Sequence, residues 1–118
     1  MIKQWIQDIR NSSNPDNLGM FLVHCGVVRS TSKKGETVKG MNLTYDTHKL
    51  DRVTEEIRKK DGIVDVKVWI NEGLLSVGDT IMYALVAGKF RTDVFPALQE
   101  LVTKIKTEVV NEKEFLNE

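Results

Sequence analysis

One cysteine, two prolines and no excess of either charge set the first limits on this 118-residue chain. A lone Cys25 can form no intrachain disulfide, and no multi-cysteine metal site can be built from it. Seventeen basic side chains balance seventeen acidic ones. The basic excess of a general nucleic-acid binder is therefore missing. No apolar run approaches the ~20 residues needed to span a bilayer. The opening Met1-Ile2-Lys3-Gln4-Trp5 lacks the long apolar core of a signal peptide, so a cytoplasmic location without membrane contact is expected. The two histidines, His24 and His48, lie apart with no metal-ligand spacing, and no metal site is expected. Glycine-rich phosphate loops and nucleophile-elbow serines are absent as well.

What is present is the composition of a globular protein, with 41% apolar and 29% charged residues. Its length fits a single domain over 1–118. Ile2, Trp5, Ile6 and Ile9 recur at helical spacing, which predicts a helix over 2–11. The turn cluster Asn11 to Asn17 ends it. Gly19 to Val28 is a continuous apolar run and predicts a buried strand, with Cys25 as a small buried hydrophobe inside it. A second strand is predicted over 37–46, with Gly40 as a bulge. Leu50, Val53 and Ile57 predict a helix over 48–60, stopped by Asp61-Gly62.

Val64, Val66, Val68 and Ile70 alternate as a half-buried strand does, and Thr80 to Ala87 reads as another. Val94 to Ile105 carries the stripe of a long helix, with Asp93 as its cap and Pro96 confined to its first turn. Residues 109–118 show no period. The order α-β-β-α-β-β-α pairs its strands through short connections, which predicts an α+β fold with a mostly antiparallel sheet and packed helices. A ferredoxin-like sandwich fits the same periodicities and would make the chain a small-ligand regulatory domain.

The cations carry the strongest functional signal. Arg29, Lys33, Lys34 and Lys39 face only Glu36 in the segment after the first strand. Such a segment reads as a solvated loop when it stands alone, or as a rim for phosphate or carboxylate. Arg91 precedes the long helix, where a guanidinium and a helix N-terminus could share an anion. Lys106 follows the core-facing Ile105 by one residue, about 100° around the helix and at the edge of its buried face. Lys113 returns near that face only if the helix runs on for two turns. By spacing alone, both lysines read as surface charges.

Taken in order, these residues resemble the large, catalytic subunit of molybdopterin synthase. The resemblance runs from Gly19 to Lys113. It rests on Gly26-Val27-Val28-Arg29, Leu43-Thr44-Tyr45, Gly73-Leu74-Leu75-Ser76-Val77-Gly78-Asp79, Arg91, and Lys106 with Lys113. It implies an α/β-hammerhead fold and a homodimer within a heterotetramer, each large subunit capped by a small ubiquitin-like sulfur carrier ending in Gly-Gly. The implied reaction moves sulfur from the carrier's C-terminal thiocarboxylate to cyclic pyranopterin monophosphate, forming the dithiolene of molybdopterin. By that resemblance Lys106 and Lys113 are catalytic, Arg29 and Arg91 bind substrate, and no cofactor is required.

The chain departs from the family at Phe90, where a histidine commonly precedes the arginine. It departs again at Val110-Asn111-Glu112, in place of a proline-aromatic-tryptophan stretch. These departures raise an alternative, a non-enzymatic module that binds the carrier without transferring sulfur.

Overall fold

The computed structural model describes residues 1–116. Eight residues of edge strand, β1 (Met20–Val27), pair antiparallel with β5 (Thr80–Gly88). β5 pairs on its other side with β3 (Ile63–Ile70). These three form one sheet in the order β1-β5-β3. A second sheet has the order β4-β2-β6, built from β4 (Gly73–Ser76), β2 (Val38–Tyr45) and β6 (Val110–Leu116). Every pairing is antiparallel. The predicted α+β class holds, and the ferredoxin-like alternative does not, because the strands divide between two sheets.

Strand alternation sends the side chains of β5 to two cores. Leu85 and Ala87 meet Ile9 of α1 (Ile2–Ser12), with Phe21 and Val23 packed alongside. Met82, Ala84 and Val86 join the larger core with Val53 and Ile57 of α2 (Thr47–Arg58) and Val94, Leu98 and Leu101 of α3 (Arg91–Lys104). The larger core also takes Met41, Leu43 and Leu75 from the second sheet. It thus joins the two sheets around the place where the chain leaves α3.

Four expectations need correction. β4 was not foreseen as a strand, being four residues long with Leu74 77% exposed. The unpatterned stretch over 109–118 is in fact β6 as far as Leu116, while positions 117 and 118 lie outside the described residues. Its half-buried positions are Val110 and the charged Glu112 and Glu114, so hydropathy could not reveal the alternation. Asp93 does not cap α3, because the helix already begins at Arg91 and Phe90 is the N-cap. Pro96 accordingly falls in the second turn, where it leaves the Thr92 carbonyl without its usual helical donor.

Cys25 is the fourth correction. It is exposed, not buried. The residues of β1 that point toward α1 include Phe21 and Val23, which that helix covers. Cys25 and Val27 share their side of the strand but stay exposed at its far end. An all-apolar run reads as buried on both faces, yet the covering helix is only eleven residues long.

Two predicted local features are present. Gly40 sits where the β2–β6 register shifts, and a Cβ there would stand 2.5 Å from the Leu75 carbonyl oxygen. Only glycine permits that approach of β4 to β2. Asp46, the N-cap of α2, accepts a bond from the Lys49 N–H at 3.0 Å. That bond is the first cause of a carboxyl pKa held below its ordinary value, with the His48 N–H and the nearby charges of Lys49 and His48 adding to it. A pKa lowered by folding contributes stability above the ordinary carboxylate range, and that contribution is lost as pH falls through the depressed value. Asp46→Ala is therefore expected to lower the melting temperature at pH 7, with the gap to the parent closing in acid; thermal melts at several pH values check it.

Candidate active site

The run from Gly73 to Asp79 has a mechanical role. Gly78 adopts φ +91°, and the Asp79 carboxylate accepts from the Ser76 N–H at 2.8 Å, which closes a tight turn. The turn then grips the end of β1. Val28 donates its N–H to the Asp79 carbonyl and accepts from the Gly78 N–H, both at 2.9 Å. On the other side of Arg29, the Ser30 carbonyl accepts from the Val38 N–H at 2.9 Å. Arg29 thus stands between two pinned residues, with its own side chain exposed.

Lys106 owes its position to a break in helical winding. After α3 the chain makes one π-helical turn, Ile105–Val109, closed by the Val110 N–H to the Ile105 carbonyl. Ile105 and Val109 are both buried, so the turn is seated in the core while Lys106 projects from it. Single π turns of this kind recur at functional sites. The chain then becomes extended at Val110 and returns along β2 as β6. Lys113 lies on that strand, opposite Asn42, and not on a continued helix. The antiparallel course of β6 carries it toward the loop that holds Arg29.

One cleft of about 1030 Å³ collects these residues. Arg29, Lys106 and Lys113 all line it. Lys33 and Lys34 line it too, so the basic loop that reads as solvated forms one of its walls. Against these five cations stand three carboxylates, Glu36, Glu112 and Glu114. The balance favours an anionic ligand. Arg91 is elsewhere. Val27 opposes Thr80 and Met20 opposes Gly88, so Arg29 and Arg91 extend from opposite ends of the same strand pair. At ~3.4 Å per residue the two are about 25 Å apart.

Three cleft residues were missed or misjudged from sequence. Glu112 forms an ion pair with Lys106 at 2.5 Å, with side-chain exposures of 23% and 36%. Nothing in the spacing signals it, because the pair crosses from the π turn to an unforeseen strand. Cys25 lines the cleft as an exposed thiol. His24, whose sequence context showed only that it lacks a metal-ligand spacing, lines the cleft as well. Strand alternation from Leu22, which packs on the larger core, could have placed His24 and Gly26 on the side facing α3 and the π turn.

His24 Nε2 is buried and, among the described residues, has no hydrogen-bond partner. Leaving such an atom unpaired costs about 1–3 kcal/mol. Burial first, and the positive charge of Lys106 second, hold the imidazole pKa below its ordinary value. The ring is therefore neutral at pH 7. His48, by contrast, is exposed at the start of α2. Among the described residues no cluster of three or more His, Cys, Asp or Glu could hold a metal, and no helix is long and apolar enough to cross a membrane.

Among the described residues, two antiparallel sheets, three α-helices and a cation-lined cleft beside a π turn define an α+β protein. Its fold is found in solved structures. Molybdopterin synthase from Staphylococcus aureus superposes with a TM-score of 0.76 at 23% identity, over 96% of this chain and 85% of that one. A chain in the complex of subunits 1 and 2 of molybdopterin-converting factor from Helicobacter pylori gives a TM-score of 0.70 at 15% identity, over 98% and 79%. An uncharacterized protein of Methanocaldococcus jannaschii is 34% identical over 92 residues, 75% of this chain and 77% of that protein. The family model described as MoaE protein matches residues 2–108. The chain belongs to the MoaE family, that of the molybdopterin synthase large subunit, and so to molybdenum cofactor biosynthesis.

Proposed function

We propose that this chain transfers sulfur from the C-terminal thiocarboxylate of a small ubiquitin-like carrier to cyclic pyranopterin monophosphate, forming the molybdopterin dithiolene. The observation that carries the reading is the meeting of Arg29, Lys106 and Lys113 in one cleft from a loop, a π turn and a strand. Family membership supports the reaction class. The two-subunit complex from Helicobacter pylori supports a small partner subunit.

In this reading Arg29 binds the substrate phosphate through paired N–H donors and orients the pterin. Lys106 stands beside the carrier's terminal glycine and stabilises the oxyanion formed when its acyl carbon is attacked. Lys113 assists from the second sheet. Sulfur arrives on the carrier, so no protein cysteine and no cofactor takes part. Arg91 cannot reach the cleft of its own chain across about 25 Å of strand. Its substrate-binding role then requires a second copy, which accords with a homodimer carrying two carriers as a heterotetramer, at work in the cytoplasm.

The ion pair between Glu112 and Lys106 favours a second reading, a module that binds the carrier without transfer. There Glu112 holds the ammonium that the reaction needs. One reconstitution separates the two. Purified protein is mixed with thiocarboxylated carrier and the cyclic pyranopterin, and molybdopterin is quantified. Product formation is expected; carrier binding with no product would establish the second reading instead.

A further inference from the structure

We propose that His24 is the general base of the cleft, accepting a proton from the water that hydrolyses the bond between carrier and sulfur. The inference deepens the sulfur-transfer reading and rests on it. Once the thiocarboxylate sulfur has bonded to the pterin, carrier and pterin are joined by an acyl–sulfur bond. Releasing the carrier needs water. Its oxygen bonds to the acyl carbon, the carbon–sulfur bond breaks, and sulfur leaves with the electron pair as the pterin thiolate. One proton of that water goes to the imidazole. The other is lost to solvent as the new carboxyl group ionises.

The cleft is rich in cations but has few groups able to take that proton. Arginine stays protonated, and Lys106 is tied up in its ion pair with Glu112. A lysine in that state can stabilise an oxyanion, but it cannot serve as the base. Glu112 is itself committed to Lys106. His24 is the imidazole of the cleft, half-buried on the side of β1 that faces the π turn, and its Nε2 has no partner among the described residues. Gly26, next on that side of the strand, places no side chain over it; a Cβ there would lie 3.5 Å from Nε2.

The χ2 torsion of histidine is soft, so the ring can turn a nitrogen to an incoming water without backbone movement. Lys106 adds to burial in keeping the imidazole neutral. An ion-paired lysine and an unpartnered imidazole thus share the cleft, as a step pairing oxyanion stabilisation with proton removal requires.

The test is a quenched single-turnover reaction with thiocarboxylated carrier and the cyclic pyranopterin, followed by mass spectrometry of the carrier. His24→Phe and His24→Gln are expected to form the carrier–pterin adduct as fast as the parent. They should then release it roughly 10²-fold or more slowly, the range of general-base catalysis. Imidazole in the buffer should restore release in His24→Gly. Release at the parental rate in the Gln variant overturns the proposal, as does a slow Gly variant that imidazole leaves unchanged. His24→Gln keeps a polar side chain of similar size and carries the test if the Phe variant does not fold. A parent chain that forms neither adduct nor product would instead sink the sulfur-transfer reading itself.

Discussion

Lys106→Ala is expected to lower molybdopterin formation by roughly 10²–10³-fold, the usual cost of removing one oxyanion-stabilising donor, with the melting temperature nearly unchanged. The two halves of this expectation have separate causes. Lys106 projects from a turn whose neighbours Ile105 and Val109 are buried, so those apolar residues hold the backbone in place when the lysine is truncated. Its ion pair with Glu112 is partly solvent-exposed, and pairs of that kind contribute about 0–1 kcal/mol. The ammonium has far more effect on a charge that develops beside it in a partly desolvated cleft. Turnover in the reconstituted assay, set beside a thermal melt, measures both. Unchanged turnover would remove Lys106 from the chemistry.

Ile105→Ala is expected to destabilise the protein by about 2–5 kcal/mol, the range for truncating a large aliphatic side chain in a core. Ile105 is fully buried in the larger core and is the residue at which α3 passes into the π turn. For a domain of this size the loss corresponds to a melting temperature lower by roughly 8–20 °C. Sulfur transfer should also fall at temperatures where the variant is still folded, because Ile105 seats the turn that carries Lys106. Ile9→Ala gives the comparison, since Ile9 is equally buried in the smaller core under α1. It should melt early as well but keep its turnover below its own transition. If both variants lose activity in step with their melting, Ile105 has no special link to the site.

Much of this architecture was legible in the order of apolar residues. Three helices and four strands announce themselves through Ile2 to Ile9, Gly19 to Val28, Leu50 to Ile57 and their successors, because each buries a stripe or a face. β6 does not, since two of its three half-buried positions are Glu112 and Glu114, which line the cation-bearing cleft. That one hidden strand accounts for most of what was misjudged at the site. From spacing, Lys113 could return to the site only on a prolonged helix; it stands instead on β6, and the partner of Lys106 could not be named without the strand that brings Glu112 back. Arg29 was legible because a turn clamps the end of β1, and the residues of that turn, Gly78 and Asp79, are the ones such geometry demands. His24 was hidden for another reason. A polar residue inside an apolar run reads as tolerated by the core, whereas here the larger core ends before His24 and the cleft begins.

In the proposed function, the cleft of Arg29, Lys106 and Lys113 receives the carrier's C-terminal tail. A crystal structure of this chain with its carrier tests it most directly. The terminal glycine carboxylate is expected within hydrogen-bonding reach of Lys106 Nζ, about 2.7–3.2 Å, with Arg29 and Lys113 on the cleft walls around it. A carrier seated with its tail on another face, and the cleft left without it, would rule out this role for the cleft.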